Sequence, residues 1–92
     1  MLDPAPYDVI VSRAGHDRGK YFVVVGVRED GRLLLCDGKN RWLENPKCKS
    51  PKHVRVAVRG SDRPGSDKAI RTTLALAAQD AAAKEEKLLG ER

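Results

Sequence analysis

The 92-residue sequence is poor in aromatic residues and cysteines, and it has no long hydrophobic run. The aromatic side chains number four: Tyr7, Tyr21, Phe22 and Trp42. Aliphatic side chains must therefore fill the core of what the length suggests is one small domain. No apolar run approaches the roughly 20 residues that span a membrane as a helix, and the N-terminus lacks the basic and apolar regions of a secretory signal. We expect a soluble, cytoplasmic protein without a membrane partner.

The two cysteines, Cys36 and Cys48, are too few and too far apart for a structural zinc site. Such a site needs four close nitrogen or sulfur ligands, and adding His16 and His53 gives no known finger spacing. Free thiols are favoured over a disulfide in the absence of a signal peptide. The sequence therefore predicts neither a metal nor another cofactor.

Motifs of catalysis are also lacking. Gly15 and Gly19 flank a loop that precedes a strand, whereas a phosphate-binding glycine loop of a nucleotide-hydrolysing enzyme opens a helix. There are no paired carboxylates in an apolar context, and no serine or cysteine has a nearby base and orienting group. We expect a protein that is not an enzyme.

Positive charge is what the sequence does have, and it is unevenly placed. The formal net charge is +5. Residues 39–59 contain seven basic residues and one acidic residue, a net charge of +6, whereas residues 67–92 contain five of each sign. A basic segment of this kind indicates a polyanionic partner.

The first 60 residues read as a small β-domain with tight turns. Alternating and β-branched residues predict five strands: Asp8–Ser12, Tyr21–Arg28, Leu33–Cys36, Arg41–Leu43 and His53–Arg59. Asp-Gly pairs at residues 30–31 and 37–38 supply the positive φ of tight turns, and residues 45–52 read as a loop. In the last strand the three valines should enter the core while the arginines stay in solvent. This layout is typical of a small SH3-like barrel.

Composition changes at Gly60, where residues 61–66 form a linker to a C-terminal alanine-rich helix at 67–92. Ser66 or Asp67 is the expected N-cap, and the helix should be roughly 35 Å long. Its apolar stripe consists of Ile70, Leu74, Ala77, Ala78, Ala81 and Leu88. We expect one end of the helix to pack on the barrel and the other to face solvent or a partner, including a second copy of the chain.

Three segments resemble a known family. They are Val11–Gly26, Leu35–Gly38 and the stretch from Arg41 to Lys49, continued at Lys52-His53. These segments resemble the bacterial KOW-domain RNA-binding proteins, which are related to the eukaryotic and archaeal large-subunit ribosomal proteins of the L-fourteen type. The resemblance covers about half the chain, and it implies an SH3-like barrel that packs against ribosomal RNA.

A basic barrel face that contacts phosphates is therefore the predicted site. Its expected RNA-binding residues are Arg13, His16, Arg18, Lys20, Lys39, Arg41, Trp42, Lys47, Lys49, Lys52 and Arg55. Trp42 can stack on an unpaired base, although packing in or at the rim of the barrel is the favoured interpretation. The expected partners are ribosomal RNA and the ribosome or its proteins. The alternative is a protein–protein interaction module that uses the barrel edge and the helix; an accessory role in transcription elongation fits less well.

Overall fold

The fold is a five-stranded antiparallel sheet followed by one helix. A computed structural model describes residues 4–60 and 62–79 in full and residues 80–90 as helical backbone. The elements are β1 (Val9–Ser12), β2 (Tyr21–Val27), β3 (Leu33–Cys36), β4 (Lys47–Lys49), a 3-10 turn (Pro51–His53), β5 (Val54–Val58) and α1 (Asp67–Gly90). The strand order is β4-β3-β2-β1-β5. The predicted class, mainly β with a C-terminal helix, is confirmed.

A side-chain contact joins β4 to the loop that follows β1. In a flat sheet β4 would lie three strand positions from β1, a distance of roughly 14 Å. Nevertheless, the Lys49 Nζ atom on β4 lies 2.9 Å from the carbonyl oxygen of Ala14, just beyond β1. This contact is consistent with the predicted SH3-like barrel, and the strand order makes β4 and β5 the two sheet edges.

Each face of the sheet carries its own apolar core. The inner cluster consists of Ile10, Phe22, Val24, Leu33, Leu35 and Val54. The outer cluster joins Val9, Val23 and Cys36 of the sheet to Ile70 and Ala77 of α1. Because successive side chains of a strand point to opposite faces, Val23 and its neighbours in β2 contribute to both clusters.

The helix docks through its N-terminal half, as the stripe predicted. Ile70 is fully buried, Ala77 is 7% exposed, and Leu74 packs beside them against the outer cluster. Ser66 is the N-cap, because its Oγ accepts the Ala69 N–H at 3.1 Å. Ala78 is exposed, whereas Ala81 and Leu88 lie outside the residues whose side chains are described. Across the described residues, no helix combines the length and apolarity needed to cross a membrane.

One predicted strand and one predicted loop were wrong. The segment 41–43 is a turn with one isolated bridge between Trp42 and Asn45, because its backbone is held by other partners described below. The predicted loop 45–52 instead contains β4, in which Lys47 and Lys49 pair with Leu35 and Leu33 of β3. Pairing to a preformed strand stabilises this short edge strand, which lacks apolar periodicity of its own.

The last predicted strand is shorter and less regular than expected. His53 belongs to the 3-10 turn, and the strand is Val54–Val58. Val54 is buried, but Val58 is 38% exposed. The reason is a bulge, since Val58 pairs with Val9 while Val56 pairs with the next residue of β1, Ile10. The extra residue turns Val58 to the outer face, where the helix covers it only in part.

Candidate nucleic-acid interface

The loop between β1 and β2 is fastened by one buried carboxylate. Asp17 is 6% exposed. Its Oδ1 accepts the Ser12 hydroxyl at 2.7 Å and the Lys49 ammonium at 3.0 Å, and its Oδ2 accepts a hydrogen bond from Lys47. Burial disfavours the charged form, but the hydrogen bonds from Lys47, Ser12 and Lys49 outweigh it and hold the pKa of Asp17 well below its ordinary value.

These contacts change the role expected of two predicted site residues. Lys47 and Lys49 were predicted to contact phosphates, but their side chains are only 28% and 12% exposed and are paired with Asp17. Lys49 also donates to the Ala14 carbonyl oxygen at 2.9 Å. Both lysines therefore tie β4 to the β1–β2 loop, and Asp17 offsets one of their two charges.

The loop between β3 and β4 is organised by a second carboxylate. The Asp37 Oδ1 accepts the backbone N–H groups of Lys39, Asn40 and Arg41 at 2.9, 2.8 and 2.8 Å. Burial raises the pKa of Asp37, but these hydrogen bonds lower it by more, so the pKa lies below the ordinary value. The carboxylate is directed to the loop backbone, while the side chains of Lys39 and Arg41 are exposed.

The first turns of α1 form hydrogen bonds with the backbone of the β3–β4 loop. The Arg71 guanidinium donates to the Gly38 carbonyl oxygen at 2.6 Å, and the Asp67 carboxylate accepts the Leu43 N–H at 3.0 Å. A Cβ on Gly38 would lie 2.5 Å from the Asp67 carbonyl oxygen. The approach of helix to loop therefore requires glycine, whose φ here is +74°. Sequence reasoning missed Arg71, for which the only signal was its place beside the buried stripe.

Trp42 lies at the end of the same loop with its backbone fixed and its side chain 43% exposed. Its carbonyl oxygen accepts the Asn45 N–H at 2.9 Å and the Cys36 thiol at 3.2 Å. Burial, with Asp67 and Asp37 nearby, raises the pKa of Cys36 to about 11, so the thiol keeps its proton at neutral pH. Trp42 is therefore a rim residue with part of its ring accessible, not a core residue.

Two adjoining cavities bring several predicted residues together between these loops. Both are lined by Lys20, Asp37 and Asn40. The smaller cavity, of about 190 Å³, also includes His16, Arg41 and Lys47. The larger one, of about 390 Å³, continues to Lys39 and the side of α1. We name the exposed cations around these cavities, Lys20, Lys39 and Arg41, the loop cations.

The remaining predicted residues lie outside the linings of the two cavities. Arg55 is exposed and stands directly opposite Val11, which in turn stands opposite Tyr21 of β2. Arg55 therefore shares the outer face with Tyr21 at a distance of roughly 10 Å, two strand spacings. Three further predicted residues are exposed: Arg13, whose backbone N–H donates to the His53 carbonyl oxygen, Lys52 in the 3-10 turn, and Arg18 in the β1–β2 loop.

Within the described residues, no group of three or more histidine, cysteine, aspartate or glutamate side chains could hold a metal ion. Both cysteines are free, Cys36 buried and Cys48 exposed. Comparison of the chain with models of protein families and with curated proteins found no match.

Proposed function

We propose that this chain is a non-catalytic RNA-binding protein of the cytoplasm that binds structured ribosomal RNA through a basic face of its sheet. The observation that carries the proposal is that two carboxylates of the cation-bearing loops, Asp17 and Asp37, are already engaged within the protein. Asp17 is paired with two lysines and Asp37 with three backbone N–H groups. In the described part of the chain no ion pair involves the loop cations, so no carboxylate offsets their charge at short range.

The loops that carry these cations are ordered before any ligand arrives. Asp17 joins the β1–β2 loop to β4, and Asp37 and Arg71 join the β3–β4 loop to its own backbone and to α1. A preordered loop loses less conformational entropy on binding than a flexible one. The face is therefore suited to a rigid array of phosphates.

The chemistry of the face favours recognition of backbone shape over recognition of base sequence. Its exposed groups are lysine and arginine cations, which contact phosphates and release counterions. Double-stranded RNA hides its base edges in a deep groove and is recognised largely by shape. The resemblance to KOW-domain proteins supports the same ligand, and association with the ribosome is part of the proposal.

The direct test compares two double variants in RNA binding. Lys39→Gln with Arg41→Gln removes two loop cations, whereas Arg28→Gln with Arg32→Gln removes two cations at the β2–β3 turn. The two sites lie at opposite ends of β3, whose four residues span roughly 13 Å. Loss of two phosphate contacts should reduce the slope of log affinity against log salt by about 1.5. Equal effects of the two double variants on RNA affinity would contradict the assignment of the RNA site to the loop cations.

A protein–protein interaction module is the second candidate, and one observation favours it. Val58 on the edge strand β5 and Leu76 on α1 are 38% and 62% exposed. They line an apolar cavity of about 240 Å³ together with Val9 and Ala77. An apolar contact at this place would respond little to salt, in contrast to binding by the loop cations.

A further inference from the structure

The larger of the two adjoining cavities is lined by both apolar and cationic side chains. Its volume is about 390 Å³, within the range of sites that hold small organic ligands. Tyr21 of β2 and Leu74 and Ala75 of α1 provide apolar walls. Three cations lie on the same lining: Lys20, Lys39 and Arg71. A ligand that fits such a cavity has a flat apolar part and at least one anionic group.

The cations differ in how firmly they are placed. Arg71 is fixed, because one of its terminal nitrogens donates to the Gly38 carbonyl oxygen at 2.6 Å. A guanidinium has five N–H donors, so further donors remain for a ligand. Lys20 and Lys39 are exposed and lie on two different loops. The lining contains one carboxylate, Asp37, whose Oδ1 is taken up by backbone N–H groups.

We propose that this cavity takes one unpaired nucleotide of the bound RNA, with its base against Tyr21 and Ala75 and its phosphate towards the three cations. A base within a duplex is stacked and paired and cannot enter a cavity, whereas an unpaired base can be turned out and stacked on protein. This inference rests on the proposed function and deepens it. The ligand is then a folded RNA with an exposed loop or bulge, not an uninterrupted duplex.

The decisive variant fills the cavity without changing charge. Ala75 is exposed on α1 and lines the cavity, so Ala75→Met places a longer apolar side chain in the space of the base. Methionine is a good helix former, so α1 should be retained. Thr72→Met is the matched control, because Thr72 is exposed on the same helix but is outside the lining of this cavity.

The probes are a single-stranded RNA oligonucleotide, the duplex formed with its complement, and the free mononucleotides AMP and CMP. Affinity is measured by fluorescence anisotropy of labelled RNA. Ala75→Met should weaken binding of the single strand about tenfold, the loss of one stacked base, and leave duplex binding within about twofold. Thr72→Met should change neither. In the unmodified protein, nuclear Overhauser contacts between base protons and the Tyr21 ring should be present with the single strand and absent with the duplex.

Other results would overturn the inference in distinguishable ways. If Ala75→Met binds the single strand normally while the loss of Lys39 and Arg41 weakens it, the cavity is not used although the face binds RNA. If neither RNA binds the unmodified protein, the proposed function fails and this inference fails with it. If AMP or CMP shifts the NMR signals of Tyr21 and the oligonucleotide does not displace it, the cavity binds free nucleotides and not an RNA strand.

Discussion

The substitution Asp17→Asn tests whether one buried carboxylate holds the basic loops in place. In the folded protein two lysine ammonium groups donate to Asp17, and hydrogen bonds to charged groups contribute about 1.5–3 kcal/mol each. An asparagine keeps a carbonyl acceptor, and Lys47, at 28% exposure, recovers part of its hydration. We therefore expect a net loss of about 2–3 kcal/mol, which lowers Tm by roughly 10–20 °C in a domain of this size.

The pH dependence of this loss has a definite sign. The pKa of Asp17 in the folded protein lies below its ordinary value, so its stabilising effect is present above the unfolded pKa of about 3.9 and disappears as the pH falls. The Tm difference between the wild-type protein and Asp17→Asn should therefore be largest at neutral pH and should narrow between about pH 5 and pH 2.

The assay is thermal unfolding followed by circular dichroism across this pH range. Asp30→Asn is the matched control, because Asp30 is 49% exposed and pairs with Arg28 at 3.8 Å on the surface. Such a pair contributes about 0–1 kcal/mol. If Asp17→Asn and Asp30→Asn lower Tm equally at neutral pH, or if the difference does not depend on pH, the reasoning about Asp17 is refuted.

Three further predictions concern Gly38, the two cysteines and Trp42. Gly38→Ala should lower the free energy of unfolding by about 2–4 kcal/mol, because Gly38 has a positive φ and lies close to a carbonyl oxygen of α1. Gly31→Ala should lower it by only about 1 kcal/mol, because Gly31 has a positive φ but open space around it. Urea unfolding measures both losses, and equal losses would contradict the contact between Gly38 and α1. Iodoacetamide at neutral pH should label Cys48 and spare Cys36 until unfolding; mass spectrometry showing early labelling of Cys36 would contradict its burial. Trp42→Ala should weaken single-stranded RNA binding about tenfold, while Trp42→Phe should retain most of it; equal anisotropy titrations for Trp42→Ala and the wild-type protein would exclude stacking.

The parts of the fold that the sequence predicted are those with local signals. The Asp-Gly turns are confirmed, with φ of +89° at Gly31 and +74° at Gly38, because a tight turn depends on the conformation of one or two residues. The helix is confirmed at Asp67–Gly90, since alanine content and capping act within the segment itself.

The parts that were missed depend on contacts between distant residues. β4 is a Lys-Cys-Lys segment that forms a strand by pairing with β3, and no local pattern marks it. Lys47 and Lys49 looked like free surface cations, because their partner Asp17 lies 30 and 32 residues away in the sequence. Arg71 likewise reaches the candidate site only because α1 docks on the outer face of the sheet.

The central claim, that this protein binds ribosomal RNA through phosphate contacts, is tested most directly by one measurement. The purified protein is titrated with ribosomal RNA and with a structured control RNA over a series of salt concentrations. We expect binding that is tighter for ribosomal RNA and that weakens steeply with salt, because several phosphates are neutralised. Absence of binding at low salt would contradict the RNA function, and equal affinity for both RNAs would contradict the preference for ribosomal RNA.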